Sequence, residues 1–168
     1  THAVLAKLKK EFPDNINIVT QNIDDLLEKA GCPDTLHIHG HLPELKCMSC
    51  SDIINISHEN QNESNSTCEK CNGKMKPNIV LFGEEGRKYN DMYALLDECE
   101  LLVLIGTTGN VFDLTSLTQY ACYSILTNHK ANKLIIEEVF DEVYYEDSTL
   151  AIDKIETNIR TFIETGVI

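Results

Sequence analysis

The sequence lacks long apolar runs and has few positive charges. Its longest uninterrupted apolar segment, Leu101–Ile105, is far too short to cross a bilayer. No charged-then-apolar leader opens the chain, so the expected location is cytoplasmic. Lys and Arg number 14 against 27 Asp and Glu, which gives a net charge of −13. Because phosphate binding requires clustered cations, neither nucleic acid nor a membrane is an expected partner.

Two interpretations of this acidic balance stay open: attraction of a basic peptide substrate, and solubility alone. A length of 168 residues, with 42% hydrophobic and 24% charged residues, is ordinary for one globular domain. The oligomeric state is left open.

Seven cysteines include two C-x-x-C pairs, Cys47/Cys50 and Cys68/Cys71. An odd total with this spacing indicates metal ligation in a reducing compartment rather than a disulfide framework. Four thiolates close a tetrahedral shell and leave no position for a catalytic water. We therefore expect a structural Zn²⁺; the alternative is four unconnected buried cysteines.

Helical and strand patterns alternate along the chain. They predict helices over 3–12, 23–30, 89–98, 114–127 and 152–164, and strands over 17–20, 35–39, 79–82, 101–105 and 133–137. This alternation predicts an α/β fold with a partial doubly wound, Rossmann-like, mostly parallel sheet. Ligands of such sheets bind at the carboxyl ends of the strands, where Gln21, His39 and Thr107 are expected. Residues 1–41 and 78–168 form the predicted Rossmann-like domain, and 42–77 a small zinc-binding insertion.

Three polar segments could carry chemistry. His37, His39 and His41 recur at a spacing of two, which on one strand places all three imidazoles on one face. Histidine is the natural general base near neutral pH, although solvated surface or a loose metal site remain alternatives. Of the three histidines, His39 is favoured as the base by its neighbour Gly40, because a residue without a side chain lets a ligand approach the backbone closely. The turns at 20–24 and 106–109 could hold ribose or phosphate groups, with helix capping as the alternative for the first.

Taken in order, these segments resemble the sirtuins, the NAD-dependent protein-lysine deacylases. The resemblance rests on Thr20-Gln21-Asn22-Ile23-Asp24 (T-Q-N-I-D), Ala30-Gly31, His39-Gly40, the cysteine pairs, 77–84 (P-x-V-V-x-F-G-E) and 106–111 (G-T-S-x-x-V).

The resemblance implies NAD as co-substrate, a structural Zn²⁺ and an acyl-lysine protein or peptide as substrate. It implies that His39 is the catalytic base, which deprotonates a ribose hydroxyl, with Asn22 and Asp24 orienting the ribose and the attacking water. The implied cofactor-binding residues are Gln21, Asn22, Ile23, Asp24, Gly106, Thr107, Thr108 and Ile135. Those implied for the substrate are Val80, Phe82, Gly83, Glu84 and Val111, and those for the metal are Cys47, Cys50, Cys68 and Cys71.

The sequence departs from the family pattern at several positions. The glycine-rich loop and the P-T-F-R segment that precede the first helix in the family are missing, so we expect these 168 residues alone to be inactive or nearly so. Leu27 replaces a His, Thr108 a Ser and Asp113 a Pro, and Leu134-Ile135 stands at the late I-N motif. Two alternatives follow: a relative that cleaves NAD or transfers ADP-ribose, and a non-catalytic, zinc-stapled interaction module. The preferred acyl group and the target proteins are left open.

Overall fold

Helices and strands alternate in a computed structural model, which describes residues 1–57, 62–81, 83–84, 86 and 88–168. The helices are α1 (His2–Glu11), α2 (Leu26–Ala30), α3 (Tyr89–Leu96), α4 (Leu114–Thr118) and α5 (Ser148–Thr165). The strands are β1 (Val19–Thr20), β2 (Leu36–His37), β3 (Gly40–Cys47), β4 (Ile53–Asn55), β5 (Met75–Ile79), β6 (Leu101–Ile105), β7 (Tyr123–Asn128) and β8 (Glu142–Tyr145).

The chain divides into two units, which are described separately. One comprises Thr1–Asn17 and Tyr93–Ile168, and the other comprises Ile18–Met92. The division into a Rossmann-like domain and a 42–77 insertion stays a prediction. In the described part of the chain, no helix combines the length and the apolar character needed to span a membrane.

The first unit contains a parallel sheet in the order β6-β7-β8, which confirms the predicted parallel α/β arrangement. Helix α5 buries Ala151, Ile152, Ile155 and Ile159 in one cluster with Leu8 of α1. Their spacing of three and four residues places these side chains of α5 on one face. At the surface, the guanidinium of Arg160 donates two hydrogen bonds of 2.7 Å to the Glu11 carboxylate, which joins the two helices.

Two sequence predictions in this unit are wrong. The helix predicted over 114–127 ends at Thr118, and Tyr123–Asn128 is instead the central strand of the sheet. The strand predicted over 133–137 is not formed there; a 3₁₀ turn occupies Glu137–Val139 and the strand follows at Glu142–Tyr145. Short apolar runs do not distinguish helix from strand, and here pairing on both sides of β7 decides the outcome.

The second unit contains an antiparallel sheet in the order β4-β3-β5 and a short parallel pair, β1 with β2. Strand β3 pairs with β5 from Gly40 opposite Ile79 to Cys47 opposite Met75. The strand predicted over 79–82 is therefore wrong in its bounds, since β5 ends where that prediction begins. Phe82 lies outside the described residues.

Gly40 is fixed by the close approach of a neighbouring strand. Its φ is +89°, in the left-handed region, and a Cβ atom at this position would lie 2.0 Å from the carbonyl oxygen of Asn78. The predicted reason for this glycine, access for a ligand, is therefore replaced by backbone packing. No side chain fits here without moving β5.

We expect Gly40→Ala to destabilise the protein by about 3 kcal/mol or more, because left-handed strain and a backbone clash add. Gly83→Ala is the matched control: its φ is +87°, and none of the described residues has an atom within 4 Å of the added Cβ. The control should lose only about 1–2 kcal/mol. Urea unfolding of both variants measures the difference, and equal losses would contradict the packing explanation.

Candidate functional site

The imidazole of His39 lies in the turn between β2 and β3 and is held through both of its nitrogens. Nδ1 is 3.1 Å from the backbone carbonyl oxygen of Gln21, and Nε2 is 3.2 Å from the hydroxyl of Tyr89. Because a carbonyl only accepts, Nδ1 carries the proton in the neutral ring, and this tautomer is assigned from its partners. Nε2 then presents its lone pair, as a general base requires.

The segment Thr20–Asp24 positions this histidine through its backbone. Thr20 Oγ1 accepts the N–H of Asn22, and Asp24 Oδ1 accepts the N–H of Leu26, both at 3.1 Å. These two side chains close local turns. The capping alternative is wrong in detail, because α2 begins at Leu26 and its N-cap is Asp25, which makes no side-chain cap hydrogen bond. The side chains of Gln21 and Asn22 are exposed, whereas Ile23 is half-buried.

Gln21, Asn22, Asp24 and His39 thus belong to two adjoining segments of one unit. A second link confirms this adjacency: the N–H of Leu42 donates to the carbonyl of Ile23 at 2.7 Å. The arrangement places the His39 imidazole against the backbone of a segment that carries two exposed amide side chains. The catalytic and cofactor-binding roles of these residues stay predictions.

The prediction that all three histidines share one strand face is wrong. A turn at Ile38 and His39 separates β2 from β3, and the left-handed Gly40 redirects the chain. His37 and His41 stack on each other, with ring centroids 4.3 Å apart. Of the three, His39 is the one that contacts Gln21 and Tyr89.

Tyr89 was not singled out by sequence reasoning as a site residue. It lies at the start of α3, and a local signal is the glycine three residues earlier. A Cβ atom on Gly86 would lie 2.3 Å from the Tyr89 ring, so this glycine makes room for the aromatic side chain. The two rings of His39 and Tyr89 meet edge to face, with centroids 6.2 Å apart.

Three described residues implied for the substrate, Val80, Gly83 and Glu84, follow β5. The N–H of Val80 donates to the carbonyl of His39 at 2.9 Å, so this backbone runs directly beside the candidate base. Glu84 Oε2 accepts the N–H of Leu81 at 3.2 Å, and Glu84 Oε1 pairs with Lys76 Nζ at 2.8 Å. The hydrogen bond from Lys76 lowers the pKa of the Glu84 carboxyl group. Gly83 is exposed with a φ of +87°.

The turn at 106–109 belongs to the other unit. Gly106 and Gly109 have φ values of +68° and +72°, and the N–H of Gly106 donates to the carbonyl of Thr127 at 2.8 Å. In the part of the chain that the structure describes, no atom lies within 4 Å of the side-chain position at Gly106, so the turn is open toward those residues. Val111, which follows, is exposed.

Three residues that depart from the family pattern, Asp113, Thr108 and Ile135, have structural partners in this unit. Asp113 caps α4 by accepting the N–H of Thr115 at 3.0 Å and the hydroxyl of Ser116 at 2.7 Å. Asn132, which sequence reasoning missed, donates its amide to the carbonyl of Thr108 at 2.9 Å. Ile135 is buried, and its Cγ1 lies 3.3 Å from where a Gly109 Cβ would be. Its side chain therefore packs beneath the turn.

The four paired cysteines converge on one point. Cys47 Sγ lies 3.4 Å from Cys71 Sγ, and Cys50 Sγ lies 3.7 Å from Cys68 Sγ. Sulfur atoms bound to a tetrahedral zinc at about 2.3 Å are roughly 3.8 Å apart, so the donor set fits Zn²⁺. The N–H of Cys50, with help from that of Ser49, lowers the pKa of the Cys47 thiol to about 6 against the effect of burial. Leu45 and Met75 pack against Cys47 and Cys68 in a small apolar cluster.

These features define a Rossmann-like α/β protein with a four-thiolate metal centre and an oriented histidine. The Sir2 family model matches residues 1–113, which is more than half of the chain. The chain belongs to the Sir2 family.

Two curated relatives and one solved structure illustrate the similarity. An NAD-dependent protein deacylase of Campylobacter jejuni is 40% identical, over 98% of this chain and 70% of its own length. One of Helicobacter hepaticus is 36% identical, over 95% of this chain and 66% of its own length. A Sir2 homologue–NAD complex has a TM-score of 0.78 at 22% identity, covering 95% of this chain and 64% of its own; it supports the fold alone.

We expect Cys47→Ser to release the zinc ion from the four-cysteine centre and to lower the unfolding temperature, because three thiolates hold the ion less tightly. Cys122→Ser, at an exposed cysteine outside this centre, should leave both unchanged. Atomic emission for zinc and thermal unfolding measure the two effects. Full zinc retention by the Cys47 variant would refute the proposed ligand set.

We expect Tyr89→Phe to expose Nε2 of His39, since the variant lacks the hydroxyl that lies 3.2 Å away. Carbethoxylation of His39, followed by peptide mass spectrometry, should then become several-fold faster. His129, which is exposed and bonded to Asp147, provides an internal control whose rate stays constant. An unchanged rate at His39 would contradict the assigned contact.

Proposed function

We propose that this protein removes acyl groups from lysines in proteins, using NAD as co-substrate and releasing nicotinamide and acyl-ADP-ribose. The observation that carries the proposal is the environment of His39. The carbonyl of Gln21 fixes the tautomer of its ring, and the edge strand β5 continues into Val80, whose N–H donates to the His39 carbonyl. The names of the relatives, both NAD-dependent protein deacylases, support the same activity.

In this proposal His39 is the general base. Gln21 holds the proton on Nδ1, so that Nε2 accepts one from a ribose hydroxyl when Tyr89 gives way. Bound NAD supplies the ribose and the nicotinamide leaving group. Asn22 presents an exposed amide beside the base, and Asp24 holds the turn in shape through its bond to Leu26.

The cofactor-binding assignment extends to the open turn at Gly106–Gly109. Its exposed Thr108 and the unobstructed Gly106 fit the close approach of a polar ligand to the backbone. Ile135 contributes packing beneath the turn rather than a polar contact.

The acyl-lysine substrate is proposed to bind as an added strand beyond β5. This strand is at the edge of its sheet, and its continuation at Val80 is bonded to His39. The Glu84 carboxylate occupies the N–H of Leu81, where a peptide carbonyl could take its place. Val80, Phe82, Gly83, Glu84 and Val111 remain the proposed substrate residues.

We also propose a cytoplasmic location and no nucleic-acid or membrane partner. The net charge of −13 disfavours contact with phosphates, and the doubled C-x-x-C motif with three further thiols suits a reducing compartment.

We expect His39→Gln in the native protein to lower kcat for deacylation of an acetyl-lysine peptide by roughly 100-fold or more, since general-base catalysis is lost. His129→Gln should retain full activity, and zinc content should stay constant in both variants. Wild-type activity in His39→Gln would overturn the assignment of the base.

Two further measurements on the native protein separate the two alternative functions. Nicotinamide release that does not depend on an acylated peptide would favour an enzyme that cleaves NAD or transfers ADP-ribose. Absence of any heat on titration with NAD would favour a non-catalytic, zinc-stapled interaction module.

A further inference from the structure

Outside the four-cysteine centre, a second group of metal-binding side chains meets in the same unit. One ligand atom from each of Glu28, His37 and His41 lies within 4.8 Å of the others. His37 is only 4% exposed, and the side chains of His41 and Glu28 are 14% and 22% exposed. The group is therefore largely shielded from water.

Both imidazoles direct Nδ1 at an oxygen acceptor. His37 Nδ1 lies 2.9 Å from the carbonyl oxygen of Asn22. His41 Nδ1 lies 3.5 Å from the carboxylate of Glu44, which is itself held by a 2.7 Å hydrogen bond from the amide of Asn78. In a neutral His37 ring the hydrogen bond to Asn22 places the proton on Nδ1 and leaves the Nε2 lone pair available. The negative charge of Glu44 favours the proton on Nδ1 of His41 in the same way. Metal-binding histidines are oriented by partners of this kind.

The side-chain atoms that face one another inside the group are hydrogen-bond acceptors, and the described residues supply too few donors to satisfy them. Glu28 Oε2 and His41 Nε2 are buried and have no hydrogen-bond partner among the described residues. His37 Nε2 lies 2.8 Å from Glu28 Oε1, a distance that requires a proton or a cation to join the two atoms. One water molecule offers two protons, whereas three acceptor side chains converge here. A divalent cation satisfies all three.

We propose that Glu28, His37 and His41 bind one Zn²⁺ ion at a site separate from the four-cysteine centre. Two imidazole nitrogens and one carboxylate oxygen form a donor set that zinc commonly takes, with a fourth position left to water. A tetrahedral zinc holds such atoms roughly 3.3 Å apart. The three ligand atoms already lie within 4.8 Å of one another, not far from this separation.

An ion at this site links two parts of the unit, because its three ligands come from separate elements. His37 and His41 flank His39 on either side, and His37 also holds the carbonyl of Asn22. A bound ion therefore ties α2, through Glu28, to both sides of the turn that carries His39. It orders this turn without contacting His39.

The test counts zinc ions in the native protein after equilibration with excess Zn²⁺ and removal of the unbound metal. Wild type should retain two ions per chain by atomic emission, and His41→Gln should retain one. His129→Gln, at a histidine whose side chain is 76% exposed, should retain two. Near-ultraviolet circular dichroism checks that each variant is folded.

Glu28→Gln provides a second variant of nearly unchanged shape and should also retain one ion. It decides the result if His41→Gln does not fold. One ion in the wild type would overturn the proposal and leave a water in the group. Two ions in both ligand variants would place the second ion elsewhere and overturn it equally. The count does not depend on deacylation, so the proposed function can fail while this site stands.

Discussion

The pairing of β3 with β5 is the constraint on which the candidate site depends. At one end of this pairing, Gly40 meets the backbone of Asn78 and Ile79, and at the other, Cys47 lies opposite Met75. The candidate base immediately precedes Gly40, and one zinc ligand ends the strand. The zinc centre therefore stabilises the strands whose far end positions His39. A binding free energy on the order of 10 kcal/mol is comparable to the whole net stability of a domain of this size.

Backbone groups, more than side chains, determine the chemistry available to the histidines. The carbonyls of Gln21 and Asn22 accept from His39 and His37 respectively, and each fixes which ring nitrogen carries the proton. The same segment thus serves two sites. It orients His39 toward Tyr89 and directs His37 toward Glu28.

Gly40 separates the two environments. Its left-handed conformation turns the chain so that His41 returns to stack on His37, while His39 remains apart from both. With a regular strand through this position, all three imidazoles would lie on one face. The turn at Ile38 and His39 and the backbone angle of Gly40 together separate a candidate base from a candidate metal site.

Local patterns in the sequence determined the parts of the protein that depend on near neighbours. Helices α1, α3 and α5 and strand β6 follow from spacing of apolar residues, and the cysteine centre follows from two C-x-x-C pairs. The Rossmann-like fold followed from the alternation of helix and strand patterns, and the family followed from the order of short motifs. Each helix, strand and C-x-x-C pair is encoded in one short stretch of sequence, and the order of these stretches is itself part of the sequence.

Only the tertiary structure decided the features that depend on distant residues. The sequence predicts helix where strand β7 forms, because its short apolar run is compatible with both periods. Pairing with β6 on one side and β8 on the other decides for the strand. Tyr89 meets His39, and Asn132 meets Thr108, across long stretches of chain that no local pattern connects. The grouping of Glu28 with His37 and His41 has the same origin. Such contacts depend on how the elements pack, and the periodicity of one segment carries no information about its partner.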